Sequence, residues 1–321
     1  MPWTPRAAGR AAALAAVLAA VALAGCGGGD TGDAAGPNTA TSATVAPTTA
    51  APPTTAAPPK PLGRRDHRLS LTVDGQRRRF LLHTPPGWRR SQRLPLVVVL
   101  HMARDGADGK TIRDLSGLDA TADRERFLVA YPDGLDGRWN SVLCCDDTDD
   151  PGFVRALVDH ARRRWGADPD RVYATGASNG AAMSYRLAAA LPGVFAAIAP
   201  VSGALADIDV REGFPISPVS LVAFHGRQDS VFDSMDEGVA AWRRQLGCLP
   251  PLIAPYGAGG QVTRSATRCR DGTDVVVYEL AAMGHAWPGA TIDDPMSAPD
   301  TPISASDLLW EFFEDHPRQR G

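Results

Sequence analysis

The sequence predicts an α/β fold in which helices cover both faces of a mostly parallel central sheet. Three observations carry that expectation. Short apolar runs rich in Val, Ile and Leu alternate with longer amphipathic stretches from residue 94 to residue 313, and this alternation builds a parallel sheet packed on two sides. The run over 94–101, Leu-Pro-Leu-Val-Val-Val-Leu-His, is almost continuously apolar, the mark of a strand buried on both faces. Finally, about 255 residues remain once the front end is set aside, enough for one large domain with a sizeable core.

The elements follow in order. Residues 69–73 alternate, Asp74-Gly75 is a hairpin signal, and residues 79–83 pair back, so two antiparallel edge strands open the domain. The strand over 94–101 precedes a helix over 111–124 and a strand over 127–131. A helix over 151–165 leads to a strand at 172–175, which runs into Gly176-Ala177-Ser178-Asn179-Gly180 and a small-residue helix. Strands are predicted over 195–201, 219–225 and 274–280, with helices over 236–246 and 304–313. No internal repeat is visible.

The first 63 residues have a different character. Arg6 and Arg10 precede an apolar stretch over 11–24 that is short for a membrane span, and Leu23-Ala24-Gly25-Cys26 closes it. This reads as a lipoprotein signal peptide over 1–26, with Cys26 as the lipidated residue, and so as export to the outer face of a bacterial membrane. Residues 27–63 are Thr, Ala and Pro repeats that cannot bury a core and form a disordered tether. The folded domain is expected over 64–321. The 321-residue chain carries a net charge of −3, which gives no electrostatic case for nucleic acid or for an anionic membrane surface.

Four cysteines follow Cys26. An exported chain with an even count suggests disulfides, and the expected pair is Cys248 with Cys269, closing a loop worth about 3 kcal/mol. Adjacent Cys144 and Cys145 are then either bridged to each other or both reduced. Their spacing fits no zinc pattern, so no metal is expected.

The strand, Gly-x-Ser-x-Gly turn and helix around Ser178 form a nucleophile elbow. A serine hydroxyl needs a base to take its proton and an acid to orient that base, following in the order acid, then histidine. Asp229 lies just beyond the apolar strand that ends His225-Gly226, whereas Asp233 is a turn further on and Asp236 caps the next helix. Among seven histidines, only His285 follows the last strand on a Gly-containing loop. The oxyanion donors are expected to be the backbone N–H of Asn179 and that of Met102 or Ala103, between which spacing does not decide. His101 reads as structural. Trp139, Phe232 and Trp287 are candidates for an aromatic substrate pocket, Trp287 foremost because it lies two residues past His285.

Together these stretches resemble the secreted polyhydroxybutyrate depolymerase and feruloyl esterase group of α/β-hydrolases. The resemblance rests on Leu100-His101, Tyr131-Pro132-Asp133-Gly134, Trp139-Asn140, Cys144-Cys145, Asp149-Asp150-Pro151-Gly152-Phe153, Asp170-Arg171-Val172-Tyr173, the 176–180 turn, the 225–229 turn and Gly284-His285-Ala286-Trp287-Pro288-Gly289. It implies a serine esterase acting through Ser178, Asp229 and His285 on feruloyl, acetyl or hydroxyalkanoate-type esters, with no metal or cofactor. Its substrates would be small, polysaccharide-linked or polyester molecules, and its one membrane contact the lipid anchor. Met102 stands where the group usually has Gly, which predicts a narrowed cleft or a reshaped oxyanion loop. Two other readings compete: a serine peptidase on the same fold, which needs a site for a charged peptide terminus, and a lipid-anchored binding protein, which a broken triad would signal.

Overall fold

The computed structural model describes residues 65–141, 148–205 and 218–318. One ten-stranded sheet runs through the domain in the order β1-β2-β4-β3-β5-β6-β7-β10-β9-β8. Its six central strands are parallel: β4 (Leu128–Pro132), β3 (Leu94–Leu100), β5 (Ala167–Ala177), β6 (Ala197–Val201), β7 (Ser220–Gly226) and β10 (Asp274–Leu280). The hairpin of β1 (Asp66–Val73) and β2 (Gln76–His83) closes one edge antiparallel, turning at Asp74-Gly75 with both residues at positive φ.

Alternation along the central strands feeds two separate cores. Leu96, Val98 and Leu100 face one side with Val172, Ile198, Leu221 and Ala223, packed by α3 (Asp150–Trp165), α4 (Asn179–Ala190) and α5 (Phe232–Gln245). Val97 and Val99 face the other with Tyr173, Ala199, Val222 and Phe224, covered by α1 (Gly109–Ser116), α2 (Leu118–Glu125) and α6 (Ala305–Asp315). All of these side chains are fully buried, at about 1.5–3 kcal/mol for each Val, Leu, Ile or Phe.

Three expectations are corrected. The helix expected over 111–124 is two helices, because Gly117 at φ 59 caps α1 in the left-handed conformation and α2 starts immediately after it. Helix α5 begins at Phe232, one turn earlier than expected, so Asp236 lies inside the helix and caps nothing. Between 246 and 274 the structure adds two strands, β8 (Leu252–Pro255) and β9 (Val262–Arg268), which carry the sheet on antiparallel beyond β10. The polar side chains of β9 (Val-Thr-Arg-Ser-Ala-Thr-Arg) hid its strand character.

Cys248 and Cys269 are joined as expected, tying the end of α5 to the turn after β9. Cys26, Cys144, Cys145 and the stretches expected to be a signal peptide and a tether lie outside the described residues. Among the described residues no helix is long and apolar enough to cross a membrane.

Candidate active site

The C-terminal ends of adjacent parallel strands meet where ligands bind in open α/β sheets. Ser178 leaves β5 at φ 55 and ψ −116, a backbone state costing about 1–3 kcal/mol that only over-determined surroundings maintain. Those surroundings are backbone. A Cβ on Gly180 would meet Leu100 O at 2.2 Å, one on Gly176 would meet Gly180 O at 2.6 Å, and one on Gly203 would meet Ser178 O at 2.4 Å. The Ser178 N–H donates to Val201 O at 3.0 Å. The glycines let strand, turn and helix approach closely enough to hold the serine half-exposed at the tip.

Two strands further on, Asp229 and His285 are brought together. His285 Nδ1–H donates to Asp229 Oδ2 at 2.8 Å, and Asp229 Oδ1 accepts the Val231 N–H at 3.0 Å. The carboxylate is wholly buried while the imidazole is about a third exposed (37%). This fixes the histidine tautomer, leaving Nε2 as the acceptor a base requires. The turn of Asp229 and the loop of His285 are also locked by backbone: Arg227 N–H to Leu280 O at 3.0 Å and Gln228 N–H to Met283 O at 2.9 Å. A Cβ on Gly226 would stand 2.3 Å from both Met283 O and Gly284 O.

Ser202, which the sequence reading passed over, links the two halves. It is fully buried at φ 47, just past β6. Its Oγ donates to Ala286 O at 2.8 Å and accepts Ala286 N–H at 3.2 Å, gripping the residue after His285. Its neighbours Val201 and Gly203 contact Ser178 on the other side. A polar residue at the C-terminal end of a parallel strand was the signal available.

The side expected to supply oxyanion donors centres on Asn179. Its backbone N–H opens α4, where the first amides lack intrahelical acceptors and the helix dipole favours negative charge. Its side chain is committed elsewhere: Oδ1 accepts Trp139 N–H at 2.7 Å, while Nδ2 donates to Trp139 O at 3.1 Å and Ser141 Oγ at 2.7 Å. That segment is anchored in turn by a buried ion pair, Arg78 Nη2 to Asp150 Oδ1 at 2.6 Å, whose other carboxylate oxygen accepts Asn140 N–H at 2.8 Å. In the facing loop the Arg104 N–H is spent on Gly137 O, leaving Met102 and Ala103 as its candidate donors. His101 is buried, and desolvation lowers its pKa. Nδ1–H donates to Met102 O at 2.8 Å and Nε2 accepts Gly134 N–H at 2.9 Å, so this neutral ring staples the loop after β3 to the 134–139 segment.

The aromatic pocket is corrected. Trp287 is fully buried, its Nε1–H on Ser306 Oγ at 3.1 Å, and Trp139 is 2% exposed with Nε1–H on His101 O at 3.0 Å. Each indole is drawn inward by an internal acceptor, so neither offers surface to a substrate. Phe232 is half-buried beneath the Arg227 guanidinium. Met102, expected to narrow the cleft, is buried in the second core instead. A cavity of about 410 Å³ borders His285, with Met283, Pro295, Ala298, Pro302 and Asp300 among its walls.

One cluster has ligand types suited to a cation: Asp66, His83 and Asp119. The Arg113 guanidinium already bonds both carboxylates, at 2.6 and 2.5 Å, and supplies the positive charge there.

Comparison with known proteins addresses the family and the fold. The family described as esterase PHB depolymerase matches residues 79–231. Feruloyl esterase C of Emericella nidulans is 30% identical over 246 residues, covering 74% of this chain and 83% of that protein. Poly(3-hydroxyalkanoate) depolymerase C of Paucimonas lemoignei is 34% identical over 131 residues, 38% of this chain and 30% of that protein. Acetyl xylan esterase from Aspergillus awamori superposes with a TM-score of 0.60 at 17% identity, over 78% of this chain and 98% of that one. That structural likeness establishes the α/β-hydrolase fold, and the sequence likeness establishes the family. The chain belongs to the esterase PHB depolymerase family and is a serine esterase.

Proposed function

We propose that the protein cleaves carboxylic esters through an acyl-enzyme on Ser178. The observation that carries this reading is the 2.8 Å Asp229–His285 hydrogen bond, formed beside a strained serine turn on the same end of the sheet. Ser178 Oγ attacks the ester carbonyl and its proton passes to His285 Nε2. The tetrahedral oxygen takes its charge against Asn179 N–H and a donor from Met102 or Ala103. Collapse breaks the bond to the alcohol, which leaves with the proton from His285. Water then attacks the acyl-enzyme, gives its proton to His285, and the acid departs as Ser178 recovers its hydrogen. Asp229 orients the imidazole and balances the transient imidazolium.

The substrates we propose are feruloyl- or acetyl-type esters on polysaccharides, or short hydroxyalkanoate esters, in line with the relatives named above. We also propose that the chain is exported and anchored through lipidated Cys26, the 27–63 tether holding the catalytic domain off the membrane. The test of the mechanism is labelling by a fluorophosphonate together with turnover of short p-nitrophenyl esters. Ser178→Ala is expected to abolish both; turnover that survives it would overturn the serine mechanism. Side-by-side hydrolysis of methyl ferulate, an acetylated sugar and a hydroxybutyrate oligomer decides the ester class.

A further inference from the structure

The cavity beside His285 suits one half of an ester and not the other. When His285 returns its proton, the acceptor is the oxygen of the departing alcohol, so the alcohol lies on the imidazole side. The acyl carbon stays bonded to Ser178, and its carbonyl oxygen faces the Asn179 amide. The cavity, of about 410 Å³, is bordered by His285, whereas Ser178, Asn179, Met102 and Ala103 are absent from its walls. Its place is that of the leaving alcohol, and its volume is that of a small-molecule site.

The wall is stiff and carries charge of one sign. Pro295, Pro299 and Pro302 contribute pyrrolidine rings that fix the backbone φ. The hydroxyls are spent on the excursion's own backbone: Ser297 Oγ donates to Ile292 O at 2.6 Å, and Thr301 Oγ1 donates to Ala298 O at 2.8 Å. Apart from His285, Asp300 is the one ionisable residue among those that line the cavity. It is exposed, and among the described residues it has no hydrogen-bond or ion-pair partner.

No cation offsets Asp300. Residues 286–303 contain Asp293, Asp294 and Asp300 but no Lys or Arg. Arg104, which reaches the excursion from the loop after β3, is engaged by Asp294 at 2.8 Å. Arg227, in the turn of Asp229, is engaged by Glu279. The other bordering stretches, Gln261 and residues 280–284, are uncharged.

We propose that Asp300 is a specificity-determining residue for the alcohol, favouring a neutral sugar residue and opposing an alcohol that carries a carboxylate. A carboxylate only accepts hydrogen bonds, so sugar hydroxyls donate to it while the sugar's C–H faces lie against the proline rings. A hydroxy acid brings a second negative charge into the cavity; at about 6 Å beside a solvent-facing wall, that repulsion weakens binding about five-fold. The proposal rests on the Ser178 mechanism and narrows its substrates to sugar esters over esters of hydroxy acids with a free carboxylate.

The experiment compares kcat/KM for 3-acetoxybutyrate, whose departing alcohol is an anionic hydroxy acid, with that for 3-acetoxybutyramide, its neutral counterpart. Taking the acid-to-amide ratio in each protein cancels the intrinsic reactivity of the two bonds. The ratio should rise about five-fold in Asp300→Asn and about twenty-fold in Asp300→Lys. Ethyl hydrogen succinate and ethyl succinamate place the same change on the acyl side, and their ratio should move by less than about two-fold. For an acetylated methyl xyloside, Asp300→Ala should lower kcat/KM about three- to five-fold. Asp300 is exposed and unpaired, so all three variants should keep the wild-type melting temperature. An acid-to-amide ratio unmoved by Asp300→Lys would overturn the proposal. So would an equal rise in the succinate ratio, which puts the cavity on no particular side of the ester, or a xyloside rate untouched by Asp300→Ala. Turnover that survives Ser178→Ala is a separate failure, since it removes the mechanism by which the alcohol side was assigned.

Discussion

The proposed nucleophile turn and the proposed acid–base pair are held in place by different means. Ser178 sits in one continuous segment, and its strained φ is enforced by glycines that let β5 and α4 close against Leu100 and Gly203. Asp229 and His285 come from two loops 56 residues apart, locked by amide–carbonyl bonds and by the Gly226 contact with residues 283–284. The first region stores strain, and the second distributes its constraint over several ordinary hydrogen bonds. A strained turn tolerates almost no substitution, while a distributed lock fails by degrees.

That contrast can be pressed experimentally, beginning with the largest effect. Asp229→Asn keeps the shape of the pair but presents the wrong hydrogen-bonding partner to Nδ1, and should lower kcat about 10⁴-fold with little change in KM. Gly226→Ala places a methyl against two carbonyl oxygens; it should cost about 1–3 kcal/mol in urea denaturation. Displacing the base loop by about 1 Å should also lower kcat roughly 100-fold. A wild-type urea midpoint in that variant would break the comparison. Ser202→Ala leaves the Ala286 amide and carbonyl without their partner. An expected fall in kcat of about ten-fold, with KM unchanged and restoration by Ser202→Cys only in part, separates positioning of His285 from general destabilisation.

The smallest effect on activity belongs to a residue outside both regions. His225 is 1% exposed on β7, both ring nitrogens lack a hydrogen-bond partner, and burial pushes its pKa down from 6.5 to about 3. Its folded form stays neutral where the unfolded chain takes up a proton. Stability is therefore unaffected above pH 6.5 and falls by about 1.4 kcal/mol per pH unit as the pH drops from 6.5 toward 3. His225→Leu should leave kcat unchanged and flatten the acid limb of the melting-temperature profile; an unaltered acid limb would show that other groups govern it.

The same contrast explains what the sequence disclosed. The contiguous Gly-x-Ser-x-Gly segment announced itself, since strand, turn and helix signals fall in one window. Asp229 and His285 were found by chain order and strand ends. Ser202 was not, because a serine after an apolar strand carries no local signature of the loop it grips. Trp287 was misplaced for a related reason: nearness to His285 in sequence says nothing of direction, and its indole turns inward to Ser306. Strands β8 and β9 escaped because their side chains lack the buried alternation that marks a strand.

The excursion after His285 has a further consequence. Trp287 at its entry bonds Ser306 beyond its exit, and the two-residue strands β11 (Trp287–Pro288) and β12 (Ser297–Ala298) clasp it at mid-course. The excursion is therefore a closed loop whose contents also hold its neck: Met296 O accepts the Trp287 N–H at 2.7 Å, and Ala290 and Met296 pack in the second core. Changes at Ala290 or Met296 therefore reach the strand that follows His285, whereas Pro295, Pro299 and Pro302 along the same excursion line the cavity beside it.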